Sequence, residues 1–232
     1  MAGQEIAIAA PDGTFMGYLA KPRGTPKGGA VVIQEIFGVN GFVREVANKL
    51  GAAGYMALAP DLFWRIEPKV ELTDRTEAEW QKAFELYGKF NVDAGVTDIA
   101  ATLAHLRTIL GGKVKVGAVG YCLGGLLAYL TAARTDSDAS VSYYGVSIDA
   151  HLGEADRITH PLLLHMAEMD QFVPPEARRK IEASLAGRPG ITVQTYPNVD
   201  HAFARTGGQN YNAAAAKLAD RRSLAFFAAN LG

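Results

Sequence analysis

The chain of 232 residues has a single cysteine, Cys122, set within Gly120-Tyr121-Cys122-Leu123-Gly124-Gly125 between a β-branched run at 114–119 and an apolar stretch starting at Leu126. A strand that turns through small residues directly into a helix, with a nucleophile at the turn, is the G-x-S-x-G nucleophile elbow with a thiol replacing the hydroxyl. The glycines permit close approach of helix and strand, and the strained turn lifts the central side chain above the carboxyl edge of the sheet. A thiol attacks as its thiolate, and an ordinary pKa of about 8.5 leaves only a few per cent ionised at neutral pH. Cys122 therefore needs stabilisation and a base. The following helix N-terminus supplies the first.

The base has to come from another loop at the same sheet edge. His201 lies in Asn198-Val199-Asp200-His201, after an expected strand at 191–196, and Asp170 lies in Ala167-Glu168-Met169-Asp170, after one at 162–166. An acid in that position orients the imidazole and stabilises its charged form. The chain order nucleophile, acid, histidine is that of the α/β-hydrolase fold. Taken singly, Cys122 is also compatible with a buried apolar filler, His201 with a surface loop and Asp170 with a turn. The elbow glycines and the placement after successive strands weigh against those readings. His105, His151, His160 and His165 fall in a helix, connections and a strand, and are expected to be structural or solvated. The oxyanion hole is expected from the backbone N–H groups of Leu123, after the nucleophile, and Ile36, after the strand at 30–34. Glu35 ends that apolar strand, so its carboxylate must reach solvent or find a partner, with Arg44 or another surface cation as the simple candidate.

These residues need a scaffold that brings distant loops to one edge. The sequence reads as an N-terminal hairpin over 4–20 turning at Asp12-Gly13, then strands at 30–34, 55–59, 114–119, 140–144, 161–166 and 191–196. Helices are expected at 42–53, 76–87, 92–110, after the elbow to about 133, 175–186 and 211–229, with Thr73 or Asp74 capping the second. The segment 64–90 is more polar and reads as a possible flap. Alternating strands and helices imply an α/β protein with a mostly parallel central sheet flanked by helices. No repeat or linker divides 1–232, so one domain is expected. With 49% hydrophobic and 20% charged residues and a formal charge of −1, the composition argues against nucleic acid and anionic membranes as partners. No secretory leader pattern or membrane-length apolar run is evident, so a cytoplasmic location is expected. One thiol excludes an internal disulfide and a CxxC metal or redox site.

Four separated motifs, Gln34-Glu35-Ile36-Phe37-Gly38-Val39-Asn40, the elbow, Tyr143-Tyr144-Gly145 and His201-Ala202-Phe203-Ala204-Arg205, together resemble the dienelactone hydrolase (carboxymethylenebutenolidase) family over essentially the whole chain. The resemblance implies a monomeric cytoplasmic enzyme, without metal or organic cofactor, that opens the lactone ring of dienelactone to maleylacetate. It implies Cys122, Asp170 and His201 as the triad, and a Glu35 that contacts the resting thiol and helps it ionise. It also places Phe37 and Tyr144 at the substrate and Arg205 on a substrate carboxylate. The family's second substrate arginine aligns with Trp80, a departure that weakens the case for an acidic substrate and opens a preference for larger or aromatic esters. Trp80 as core packing stays an alternative, as does compensation by Arg75. The expected activity is carboxylic ester hydrolysis, on dienelactone or a close relative. A broader small-ester hydrolase, or a noncatalytic ligand-binding and redox-sensing protein, are the competing readings.

Overall fold

A computed structural model describes residues 3–232. Its centre is an eight-stranded sheet ordered β1-β2-β4-β3-β5-β6-β7-β8. Strands β1 (Gln4–Ala10) and β2 (Gly13–Ala20) form an antiparallel hairpin, and β2 is antiparallel to β4 (Met56–Pro60). The register pairs Ala10 with Gly13, so Pro11 and Asp12 are the turn residues rather than Asp12-Gly13. From β4 onward every pairing is parallel, through β3 (Gly29–Ile33), β5 (Val116–Tyr121), β6 (Ser140–Tyr143), β7 (Leu162–Ala167) and β8 (Ile191–Tyr196).

Side chains alternate between two cores, as the period of two of a strand requires. In β3, Val31 and Ile33 face one core and Ala30 and Val32 the other. The first core also takes α2 (Glu77–Lys89), α3 (Val92–Ile109), α4 (Leu123–Arg134) and α5 (Pro175–Leu185); the second takes α1 (Gly41–Ala52) and α6 (Ala213–Asn230). Helix α4 is buried from Leu123 to Ala133, which explains its nearly unbroken apolar sequence. Short 3₁₀ turns at Ile148–Ala150 and Leu152–Arg157 follow β6.

Helix α2 begins at neither expected cap. Thr76 is its N-cap and accepts from the Glu79 N–H at 3.2 Å, while Glu79 reaches back to the Thr73 N–H at 2.8 Å. The segment around it is more than a loose flap: Ala83 and Leu86 enter the core, and α2 lays its other face over the carboxyl edge beside Cys122. Among the described residues, no helix is long and apolar enough to cross a membrane.

Candidate active site

Cys122 stands between β5 and α4 with φ 57° and ψ −115°. Its N–H donates to the Tyr143 carbonyl at 3.0 Å, and its own carbonyl accepts from Gly125 N–H at 2.9 Å, which fixes the strained turn. The turn needs glycine on both sides. A Cβ on Gly120 would lie 1.8 Å from the Gly124 carbonyl oxygen, and one on Gly124 would lie 2.5 Å from the carbonyl oxygens of Ile33 and Gln34. Helix α4 is thus drawn against the end of β3, and Glu35, Ile36 and Phe37 arrive at the thiol's edge. The N–H groups of Ile36 and Leu123 donate to no acceptor among the described residues.

Asp170 and His201 converge there from the loops after β7 and β8. His201 Nδ1 lies 3.0 Å from both carboxylate oxygens of Asp170. Asp170 Oδ1 also accepts the backbone N–H groups of Phe172 at 2.9 Å and Val173 at 3.1 Å, so its position is set by main chain. His201 Nε2 is buried without a hydrogen-bond partner and borders the same cavity as Cys122. Burial opposes charging of this imidazole, but the thiolate of Cys122 and the Asp170 carboxylate outweigh it and raise its pKa to about 10.

Glu35 is buried: its Oε2 accepts from Arg205 Nη1 at 2.8 Å, Oε1 is unpartnered, and the expected contact with the Cys122 thiol is not made as a hydrogen bond. Arg44, the simple candidate partner, instead pairs with Glu71. Arg205 is itself buried, and its Nη2 donates to Asp74 Oδ2 at 2.8 Å. Both terminal nitrogens of the arginine expected on a substrate carboxylate are thus engaged by protein carboxylates, while its Nε has no partner. Asp74, considered in the sequence only as a helix cap, has no local signal for this role, since its partner is remote in the chain.

The cavity beside Cys122 has a volume of about 140 Å³ and mostly apolar walls. Trp80 and Phe37 line it, and Trp80 packs against the first core as well, so it is both a wall of the site and a core contact. Phe84, Tyr87 and Phe172 also line it and escaped the sequence reading. Trp80, Phe84 and Tyr87 are spaced i, i+4, i+7, which on a helix marks one face. Tyr144 takes another place than expected: fully buried, with φ 38°, it backs His201 edge-on at 5.0 Å and is not part of the cavity wall. Arg75 borders a separate cavity behind the Asp74–Arg205 pair. His165 is a buried structural residue between Tyr196 and Ser223. No group of three or more His, Cys, Asp or Glu among the described residues is disposed to hold a metal ion.

A mostly parallel sheet with a nucleophile elbow, an acid and a histidine on successive strand ends defines an α/β-hydrolase. The sequence model of the dienelactone hydrolase family matches residues 15–231, and the chain belongs to that family, among the carboxylic ester hydrolases. It is 49% identical over 231 residues to a protein of Azospirillum brasilense, covering 98% of this chain and 99% of that one. It is 40% identical to a carboxymethylenebutenolidase of Pseudomonas putida, covering 98% and 97%. A solved structure from Klebsiella pneumoniae superimposes with a TM-score of 0.86 at 26% identity, covering 97% of this chain and 98% of that one.

Proposed function

We propose that the protein hydrolyses a small lactone or ester through a Cys122 thioester, with dienelactone opening to maleylacetate as the reaction its relatives' names suggest. The observation that carries the reading is the His201–Asp170 pair at 3.0 Å with a free, buried Nε2 on the cavity that holds Cys122. In this reading Glu35 Oε1, an open buried acceptor, takes the thiol proton as substrate enters. The thiolate attacks the carbonyl carbon, and the N–H groups of Ile36 and Leu123 receive the developing oxyanion. The C–O bond then breaks, with the His201 imidazolium protonating the leaving oxygen. In a lactone that oxygen stays tethered to the acyl group. Water, deprotonated by neutral His201, attacks the thioester and releases the thiolate and the free acid, and Glu35 then returns its proton to the thiolate, which restores the resting thiol, carboxylate and imidazolium. The enzyme works as a cytoplasmic monomer without metal or organic cofactor.

Replacement Cys122→Ala and stoichiometric alkylation of the wild-type thiol are each expected to abolish hydrolysis of phenyl acetate, followed by phenol release. Hydrolysis surviving both treatments would remove Cys122 as nucleophile.

A further inference from the structure

The cavity's charge and its aromatic wall bear on which esters it takes. Arg205 is the single Lys or Arg among the lining residues, and it is already shared between Glu35 and Asp74. All three groups are buried, with exposures of 7%, 1% and 3%. Two carboxylates face one guanidinium, so the cluster carries a net negative charge when all are ionised. When Glu35 takes the thiol proton, Asp74 alone still balances Arg205. Asp74 is held in that role by the Gln209 backbone N–H at 2.9 Å on the same oxygen. An incoming carboxylate finds no surplus positive charge at either stage, and an unpaired carboxylate in an apolar cavity is strongly disfavoured.

The opposite wall is built for a ring. Trp80 Nε1 donates to the Asp74 carbonyl at 3.1 Å, which fixes the indole's orientation. Its face stacks on Phe84 with centroids 5.5 Å apart and on Phe172 at 6.4 Å, while Phe37 meets it edge-on at 5.1 Å. Phe172 in turn touches the His201 ring edge-on at 4.8 Å, so the aromatic surface runs up to the catalytic base. Phe84 and Phe172 remain 47% and 39% exposed, leaving ring surface open to a ligand.

We infer that this site selects an uncharged ester or lactone bearing an aromatic ring and discriminates against carboxylate-bearing lactones, with the Phe84 and Phe172 rings, held in place by Trp80 between them, as the aromatic wall and Asp74 as the residue that withholds Arg205 from substrate. The inference rests on the Cys122 reading above. It is tested with the full chain by comparing kcat/KM for dihydrocoumarin, an uncharged aryl lactone, with that for cis-dienelactone, which carries a carboxylate. Wild type favours dihydrocoumarin by roughly tenfold or more. Trp80→Ala lowers that ratio about tenfold, chiefly through KM for dihydrocoumarin. Asp74→Asn frees the guanidinium and shifts the ratio toward dienelactone by roughly tenfold or more. Because Asp74 is buried, Trp80→Arg serves as a second variant: it adds a cation to the cavity wall and shifts the ratio in the same direction. A wild type that prefers dienelactone, or a ratio unmoved by Trp80→Ala and by folded Trp80→Arg, overturns the inference. Cys122→Ala separates the two levels. Loss of both activities with a wild-type preference for dienelactone overturns the selectivity alone, whereas hydrolysis surviving in Cys122→Ala overturns the mechanism beneath it.

Discussion

His165 shows how a single residue outside the chemistry supports it. Its backbone carbonyl accepts the Tyr144 N–H at 2.7 Å, and Tyr144 backs the His201 imidazole. Its own ring is fully buried, with Nδ1 2.8 Å from Tyr196 Oη and Nε2 2.9 Å from Ser223 Oγ. Burial, reinforced by the charge of Arg222, lowers its pKa to about 3. The unfolded chain, with an ordinary imidazole near about 6.5, binds a proton that the folded chain refuses. The stabilisation from neutral His165 is therefore complete above about pH 6.5 and is lost as pH falls toward about 3, at up to about 1.4 kcal/mol per pH unit. Urea unfolding of wild type and His165→Asn between pH 7 and 4 is expected to show the steeper decline in wild type. Parallel declines would show that His165 is not the group responsible.

Among the elements, the β5–α4 junction carries the site because of how closely the helix start approaches β3. Gly124 has no room for a side chain: a methyl there meets two backbone carbonyl oxygens at 2.5 Å, neither of which can rotate away. Gly124→Ala is expected to cost about 1–3 kcal/mol through overpacking. It should also push the end of β3, with the Ile36 N–H, away from the thiol, so that kcat falls more than stability alone explains. A denaturation midpoint combined with kcat measured well below it tests this; a variant with wild-type midpoint and turnover would show that the contact is readily relieved. Helix α2 has a different task. The Thr76–Glu79–Thr73 cap secures the end that presents Trp80, and Thr76-Glu77-Ala78-Glu79 is the S/T-x-x-E pattern that marks such a start in sequence.

At the scale of the molecule, Arg65 joins three parts of the chain. It binds Asp12 in the β1–β2 turn with Nη2–Oδ1 at 2.7 Å, and Asp98 on α3 with Nη2–Oδ1 at 3.0 Å. Asp98 is wholly buried and also accepts from Trp64 Nε1 at 2.9 Å, and Trp64 stacks on Phe15 of the hairpin. Asp98→Ala leaves an indole donor without its partner and is expected to cost about 1–3 kcal/mol. The figure sits below that of a fully buried pair because Arg65 is partly exposed and keeps Asp12. Urea unfolding measures the loss, and kcat/KM is expected to stay at the wild-type level at temperatures where the variant is folded. A midpoint unchanged by the substitution would show that the Asp98 contacts contribute little to holding the hairpin on α3.

The succession of strands and helices, the elbow and the order of Cys122, Asp170 and His201 were legible in sequence because each rests on short-range constraints. Glycine at a steric pinch, β-branched runs in doubly covered strands and a polar loop after each strand all act within a few residues. The start of α2 was read to within one residue, but its cap was set two or three residues early, at Thr73 or Asp74 rather than Thr76, because several capping side chains compete within one turn. What only the tertiary structure decided was pairing across the chain. Arg205 meets Glu35 and Asp74, 170 and 131 positions away, and no local pattern distinguishes a guanidinium open to substrate from one already held by two carboxylates. The direction of Trp80 and the retreat of Tyr144 behind His201 were settled the same way, by which faces of α2 and of the β6 end are left after the core has packed. The chemistry of a thiol at an elbow follows from local backbone geometry, whereas the charge of its pocket is a sum over distant side chains.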